Sequence, residues 1–173
     1  MENRRPNVIL VGLSGSGKTA IGRAAARELH WPFVDFDTEI ERREHATVQH
    51  IFATRGEAHF RSLEQAFTRE MATCSGTIMS AGGGWVTNRD SVALLRPTGR
   101  IIYLRASPDT LLGRLAGARV PRPLLQVPDP KGTLEAMLEA RRHLYEEADL
   151  VLETEVFGRK ELIEQVRQYA LSL

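Results

Sequence analysis

The 173 residues make a chain of single-domain size, enough to bury about 70% of the surface that the unfolded form would expose. Hydrophobic residues at 42% and charged residues at 26% are ordinary for an ordered globular protein, and a formal charge of +1 excludes the basic footprint of a nucleic-acid binder. No apolar run approaches the roughly 20 residues that span a bilayer, and Met1 to Gly12 is too short and polar for a secretory signal. A cytoplasmic protein with no membrane or nucleic-acid partner is therefore expected.

Asn7 to Gly12 is a continuous apolar run ending in glycine, which suits a strand buried on both faces. A helix is predicted from about Lys18 to His30, where Ala20, Ile21, Ala24, Ala25 and Leu29 recur at helical spacing before Pro32 breaks the pattern. Further strands are predicted at Phe33 to Phe36, Thr77 to Ser80, Arg100 to Leu104 and Asp149 to Leu152, with helix-like sequence between them. This β-α alternation predicts an α/β fold: three α-β-α layers around a five-stranded parallel sheet, in one domain over residues 1–173. Ligands then belong at the carboxyl ends of the strands.

Gly113 to Pro130 departs from that rhythm. It carries two glycines, four prolines and the arginines Arg114, Arg119 and Arg122, and it is longer than most connections in compact domains, so a mobile lid is expected there. Pro121 fixes one backbone angle immediately before Arg122 and restricts Val120, which stiffens such a lid. The single cysteine, Cys74, cannot close an internal disulfide, and no Cys/His spacing suggests zinc, so it is read as structural.

Gly12-Leu-Ser-Gly-Ser-Gly-Lys18-Thr19 matches GxxxxGK[ST] and lies between a predicted strand and a predicted helix. Its glycines let successive backbone N–H groups turn towards phosphate oxygens, and the following helix adds the positive end of its dipole. Lys18 is expected to reach the β- and γ-phosphates of a nucleoside triphosphate and Thr19 to place its hydroxyl on Mg²⁺, with Gly15, Ser16, Gly17 and Ala20 completing the cradle.

The acceptor of the phosphoryl group has to be read from the remaining residues. Val34-Asp35-Phe36-Asp37 closes the second strand, and alternation would put both carboxylates on one face at its carboxyl end; equally, Asp37 could merely cap the next helix. Glu57, Arg61 and Glu64 fall near one face of a helix beginning at Gly56, a pattern that an ordinary ion-paired helix surface also produces. Gly82, Gly83 and Gly84 allow close approach of backbone to a ligand.

Taken in order, GLSGSGKT, FVDFD, GEAHFRSLE, SAGGG, RPLL (122–125) and ARRHLY (140–145) resemble shikimate kinase, a small-metabolite P-loop kinase family similar to the nucleoside monophosphate kinases. The resemblance implies that ATP, with Mg²⁺, phosphorylates the 3-hydroxyl of shikimate in aromatic amino-acid biosynthesis. It implies that Asp37 holds the acceptor hydroxyl, that Asp35 supports Mg²⁺ through water, and that Arg61 and Arg141 grip the shikimate carboxylate with backbone contacts from Gly83 and Gly84. Arg122 would swing in with the lid (about 113–130), the substrate helices would span about 36–65, and a monomer is expected. His45, His50, His59 and His143 receive no role, Trp85 is read as packing, and Arg114 and Arg119 stay unassigned. The adenine-contacting turn is expected around Thr154 to Arg159. A kinase of another acidic polyol such as gluconate, and a non-catalytic nucleotide-binding module, stay open as alternatives.

Overall fold

The computed structural model describes residues 5–118 and 126–173. Five strands form one sheet: β1 (Asn7–Val11), β2 (Phe33–Asp35), β3 (Ile78–Ser80), β4 (Gly99–Arg105) and β5 (Leu150–Glu153). Every neighbouring pair is parallel, as the alternation predicted, and the order is β2-β3-β1-β4-β5. The helices are α1 (Lys18–Leu29), α2 (Phe36–Glu44), α3 (Val48–Arg55), α4 (Glu57–Met71), α5 (Arg89–Leu95), α6 (Pro108–Ala116), α7 (Pro130–Tyr145) and α8 (Arg159–Ser172), with a 3-10 turn at Trp85–Thr87.

The side-chain period of two sorts the central strands onto two faces. Val8 and Leu10 of β1 join Ile102 and Leu104 of β4 in a core with Ile21 and Ala25 of α1 and Val166 of α8. Ile9 and Val11 join Tyr103 in a second core with Phe67, Trp85, Leu111 and Tyr145. Ile9, Leu10, Ile102 and Leu104 are wholly buried, each contributing about 2 kcal/mol by transfer from water. The loops that leave the carboxyl ends of β1 and β4 therefore start from well-buried interior strands.

A third, smaller core of Ile40, Ile51 and Phe60 joins α2, α3 and the start of α4. These are the helices expected to hold the acceptor. The cap of α2 corrects one expectation. β2 stops at Asp35, whose Oδ1 accepts from the Thr38 N–H at 3.1 Å, so the chain turns helical at Phe36. Asp37 thus sits in the first turn of α2 and does not alternate with Asp35 along a strand, and Asp35 is the cap.

His30 adopts a left-handed conformation and closes α1 one residue before the expected end. Of the range expected to form a lid, 113–116 is the last turn of α6 and Pro130 opens α7. Arg119 and Arg122 lie outside the described residues. Trp85 is fully buried and its Nε1–H donates to Thr68 Oγ1 at 3.1 Å, so it packs. His45, His50 and His143 are exposed. Cys74 packs against the core as a free thiol, and its carbonyl accepts from Asn7 Nδ2 at 2.9 Å.

Candidate active site

The loop after β1 makes its turns at positive φ, with Gly12 at 145°, Gly15 at 87° and Gly17 at 97°. At Gly12 no side chain fits, because a β-carbon would lie 2.8 Å from both the Leu104 carbonyl and Ser16 Oγ. Lys18 folds back over the loop, its Nζ donating to the carbonyls of Gly12 at 2.7 Å and Leu13 at 3.2 Å. Its charge therefore stands above the backbone concavity, at the N-terminus of α1, where an anion is favoured. Gly15, Ser16, Gly17 and Ala20 surround the same turn, with Ser16 buried.

Thr19 Oγ1 donates to Asp35 Oδ2 at 2.6 Å. Two hard oxygen donors at the edge of a phosphate cradle suit Mg²⁺, which keeps most of its waters and takes only one or two protein oxygens. Among the described residues there is no group of three or more His, Cys, Asp or Glu able to hold a metal.

Asp37 follows Asp35 in the first turn of α2. Burial, then the Asp35 carboxylate, pushes the Asp37 carboxyl up from 3.8 to about 6, against the opposing pull of Lys18 and Arg61. Glu64 of α4 is fully buried, so the ordinary ion-paired surface fails for this residue. Its Oε2 accepts from Arg61 Nη1 at 2.8 Å, while Oε1 has no partner among the described residues. Burial pushes the Glu64 carboxyl up, opposed by Arg61. Gly82 brings the two acids together: a β-carbon there would stand 2.9 Å from both Asp37 Oδ1 and Glu64 Oε1. The sequence signal for Glu64 is its place in the buried stripe Phe60, Glu64, Phe67 and Thr68.

Arg61 also pairs with Glu57 at 3.1 Å. Burial disfavours its charge, but Glu64 and Glu57 more than offset this and hold the guanidinium above the usual arginine value. It lies flat against Gly84, where any β-carbon would collide with it. A cavity of about 370 Å³ opens beside Arg61, lined further by Thr87, Asn88, Arg89 and Asp90. From α7, Arg141 Nη1 donates to the Gly83 carbonyl at 3.1 Å, and the Tyr145 hydroxyl donates to the same oxygen. Burial raises the Tyr145 phenol to about 12, which keeps it a donor at neutral pH.

Gly83 closes the gap between the two halves. A β-carbon there would come within 3.6 Å of the Gly12 carbonyl and 3.7 Å of Ser14 N, so the glycine triplet packs directly on the phosphate loop. Lys18, Thr19, Asp35, Asp37, Arg61, Gly83, Gly84 and Arg141 thus converge on one site. Arg122 lies outside the described residues. Arg114, which the sequence left unassigned, reaches Gly15 O at 3.4 Å while its Nη1 and Nη2 donate to Thr154 Oγ1 and O at 3.0 and 3.1 Å. It therefore ties the phosphate loop to the turn after β5 where an adenine contact was expected. No local spacing announces that bridge.

Comparison with known proteins bears on the family and the fold. The shikimate kinase family model matches residues 14–170. A shikimate kinase of Cupriavidus pinatubonensis is 47% identical over 155 residues, covering 89% of this chain and 80% of the relative. One of Pseudomonas entomophila is 46% identical, covering 86% and 87%. The solved Acinetobacter baumannii shikimate kinase in complex with shikimate superposes with a TM-score of 0.88 at 36% identity, over 96% of this chain and 93% of that one. A gluconokinase from Sinorhizobium meliloti, at 18% identity and a TM-score of 0.63, shares the fold alone. A phosphate loop joined through Gly83 to two carboxylates and two arginines, carried on a sheet of this order, places the sequence and structure together: the chain belongs to the shikimate kinase family.

Proposed function

We propose that this chain transfers the γ-phosphoryl group of Mg·ATP to the 3-hydroxyl of shikimate, and that the groups divide the work as follows. Lys18 and the amides of the phosphate loop, with Ser16 and Ala20 flanking them, neutralise charge on the β- and γ-phosphates. Thr19 and, through water, Asp35 would hold Mg²⁺, which when bound would supply positive charge to the transferring group. Asp37 takes the acceptor hydroxyl. Its oxygen bonds to the γ-phosphorus as the bond to the bridging β–γ oxygen breaks, the proton passes to the Asp37 carboxylate, and ADP leaves.

Arg61 and Arg141 bind the substrate carboxylate, whose planar pair of oxygens matches the guanidinium fork. The Gly83 and Gly84 amides add donors. Arg122, which lies outside the described residues, is assigned to the transferring phosphate by the family resemblance alone. Every group named belongs to one chain, so a monomer suffices for the reaction. No helix among the described residues is long and apolar enough to cross a membrane.

The observation that carries this reading is the packing of the glycine triplet, where Gly83 lies against the Gly12–Ser14 backbone, Gly82 against the Asp37 carboxylate and Gly84 against the Arg61 guanidinium. A coupled assay with Mg·ATP and a panel of acceptors tests it. ADP should form with shikimate and not with gluconate; gluconate turnover without shikimate turnover would replace the reading with the sugar-acid alternative.

A further inference from the structure

We infer that Tyr145 is a positioning residue for the acceptor carboxylate, acting through the Gly83–Gly84 peptide. The inference rests on the assignment of these glycines and Arg141 to the shikimate site. The Gly83 carbonyl accepts two hydrogen bonds from one helix, from Arg141 Nη1 at 3.1 Å and from the Tyr145 hydroxyl one turn later. These two donors use both lone pairs of that oxygen. Because the peptide is planar and trans, directing its carbonyl at α7 directs the Gly84 N–H away from α7. Among the described residues neither the Gly83 nor the Gly84 N–H is donated to another group of the chain, and Gly84 lies against Arg61. An amide with no partner among the described residues, beside a guanidinium, offers a carboxylate a second donor.

The two donors are not equivalent. Arg141 is a long, partly exposed side chain that must also meet the substrate. Tyr145 is 1% exposed, and its ring stacks on Tyr103 with centroids 4.8 Å apart and planes 11° apart. Tyr103 is paired in the sheet with Val11, the last residue of the strand that launches the phosphate loop. The hydroxyl is therefore fixed by the sheet itself. It holds the peptide plane in register with the phosphate loop when Arg141 turns to the ligand.

The test is steady-state kinetics of Tyr145→Phe, which removes the hydroxyl and keeps the stack. The KM for shikimate should rise about fivefold, the loss expected for one neutral hydrogen bond, with kcat and the KM for ATP within twofold of wild type. Against shikimate methyl ester, which lacks the charged carboxylate, the variant and the wild type should differ by less than twofold. An unchanged KM for shikimate, equal losses for ATP and shikimate, or the same fivefold loss with the ester would overturn the inference. A measurement on the wild type stands independently of the variant's folding: the Gly84 amide resonance should move on addition of shikimate without nucleotide, and an unmoved resonance under saturation would overturn the inference too. Wild-type protein inactive on shikimate would instead refute the underlying assignment.

Discussion

Thr19 Oγ1 and Asp35 Oδ2 are joined by a 2.6 Å hydrogen bond that ties the first turn of α1 to the cap of α2. One carboxylate thereby serves two structures, since its other oxygen accepts from the Thr38 N–H. The phosphate half and the acceptor half of the site share this residue, and the sharing allows its two roles to be separated by substitution.

Asparagine caps helices about as well as aspartate, so Asp35→Asn should change stability by less than about 0.5 kcal/mol. It should nevertheless raise the Mg²⁺ concentration for half-maximal activity about tenfold, the usual cost of losing an outer-sphere partner. Thermal melts without metal and a Mg²⁺ titration of activity measure the two effects. An unaltered Mg²⁺ requirement in a folded variant would remove Asp35 from the metal site.

Asp37 is held at a cost. Its folded value of about 6 lies above the ordinary 3.8, so between those pH values the folded state binds more protons than the unfolded state. The proton-linked stabilisation is full below about pH 4 and is lost as pH rises through 6, leaving the ionised form at pH 8 worth up to about 3 kcal/mol of destabilisation. Asp37→Asn should therefore raise the melting temperature, and by more at pH 8 than at pH 5. A variant less stable than wild type at pH 8 would show that the carboxylate is held by favourable contacts.

The same value sets the pH dependence of turnover. If Asp37 takes the acceptor proton it must be ionised in the enzyme form that meets shikimate, so kcat/KM for shikimate should fall with a limiting slope of tenfold per pH unit below about pH 6. Rates measured from pH 5 to 8 at saturating Mg·ATP check this. A flat profile down to pH 5 would assign the proton to another acceptor.

Gly84 tests the arginine side. A β-carbon there collides with the Arg61 guanidinium, the far end of a flexible side chain, so the fold can yield while the guanidinium is displaced. Gly84→Ala should raise the KM for shikimate about tenfold or more, in line with the roughly 1.5–3 kcal/mol of a hydrogen bond to a charged group, and leave the KM for ATP unchanged. Equal effects on both constants would point to a general distortion of the loop.

Much of this site can be read from local sequence. Gly12 to Thr19 stands out because its spacing is constrained by backbone turns that only glycine makes, and β1 and β4 stand out because strands buried on both faces are continuously apolar. Other features depend on contacts between distant residues. Glu64 reads as a surface charge unless its place between Phe60 and Phe67 is noticed, and only the fold sets its Oε1 beside Gly82. Tyr145 meets Gly83 across 62 residues of sequence, and Arg114 meets Thr154 across 40. The strand reading of Asp37 failed for a local reason, because the Asp35 side chain starts α2 as soon as β2 ends. Arg122 rests on its motif alone.

The central claim is that one connected site has a donor half around Lys18 and an acceptor half around Asp37. Paired measurement of turnover and ATP affinity in Asp37→Asn tests it most directly. The account predicts that kcat with shikimate falls by about 10²-fold or more, while the Kd for Mg·ATP stays within about threefold of wild type. Equal losses of turnover and ATP affinity would contradict it, because Asp37 would then be supporting the phosphate loop and not the acceptor.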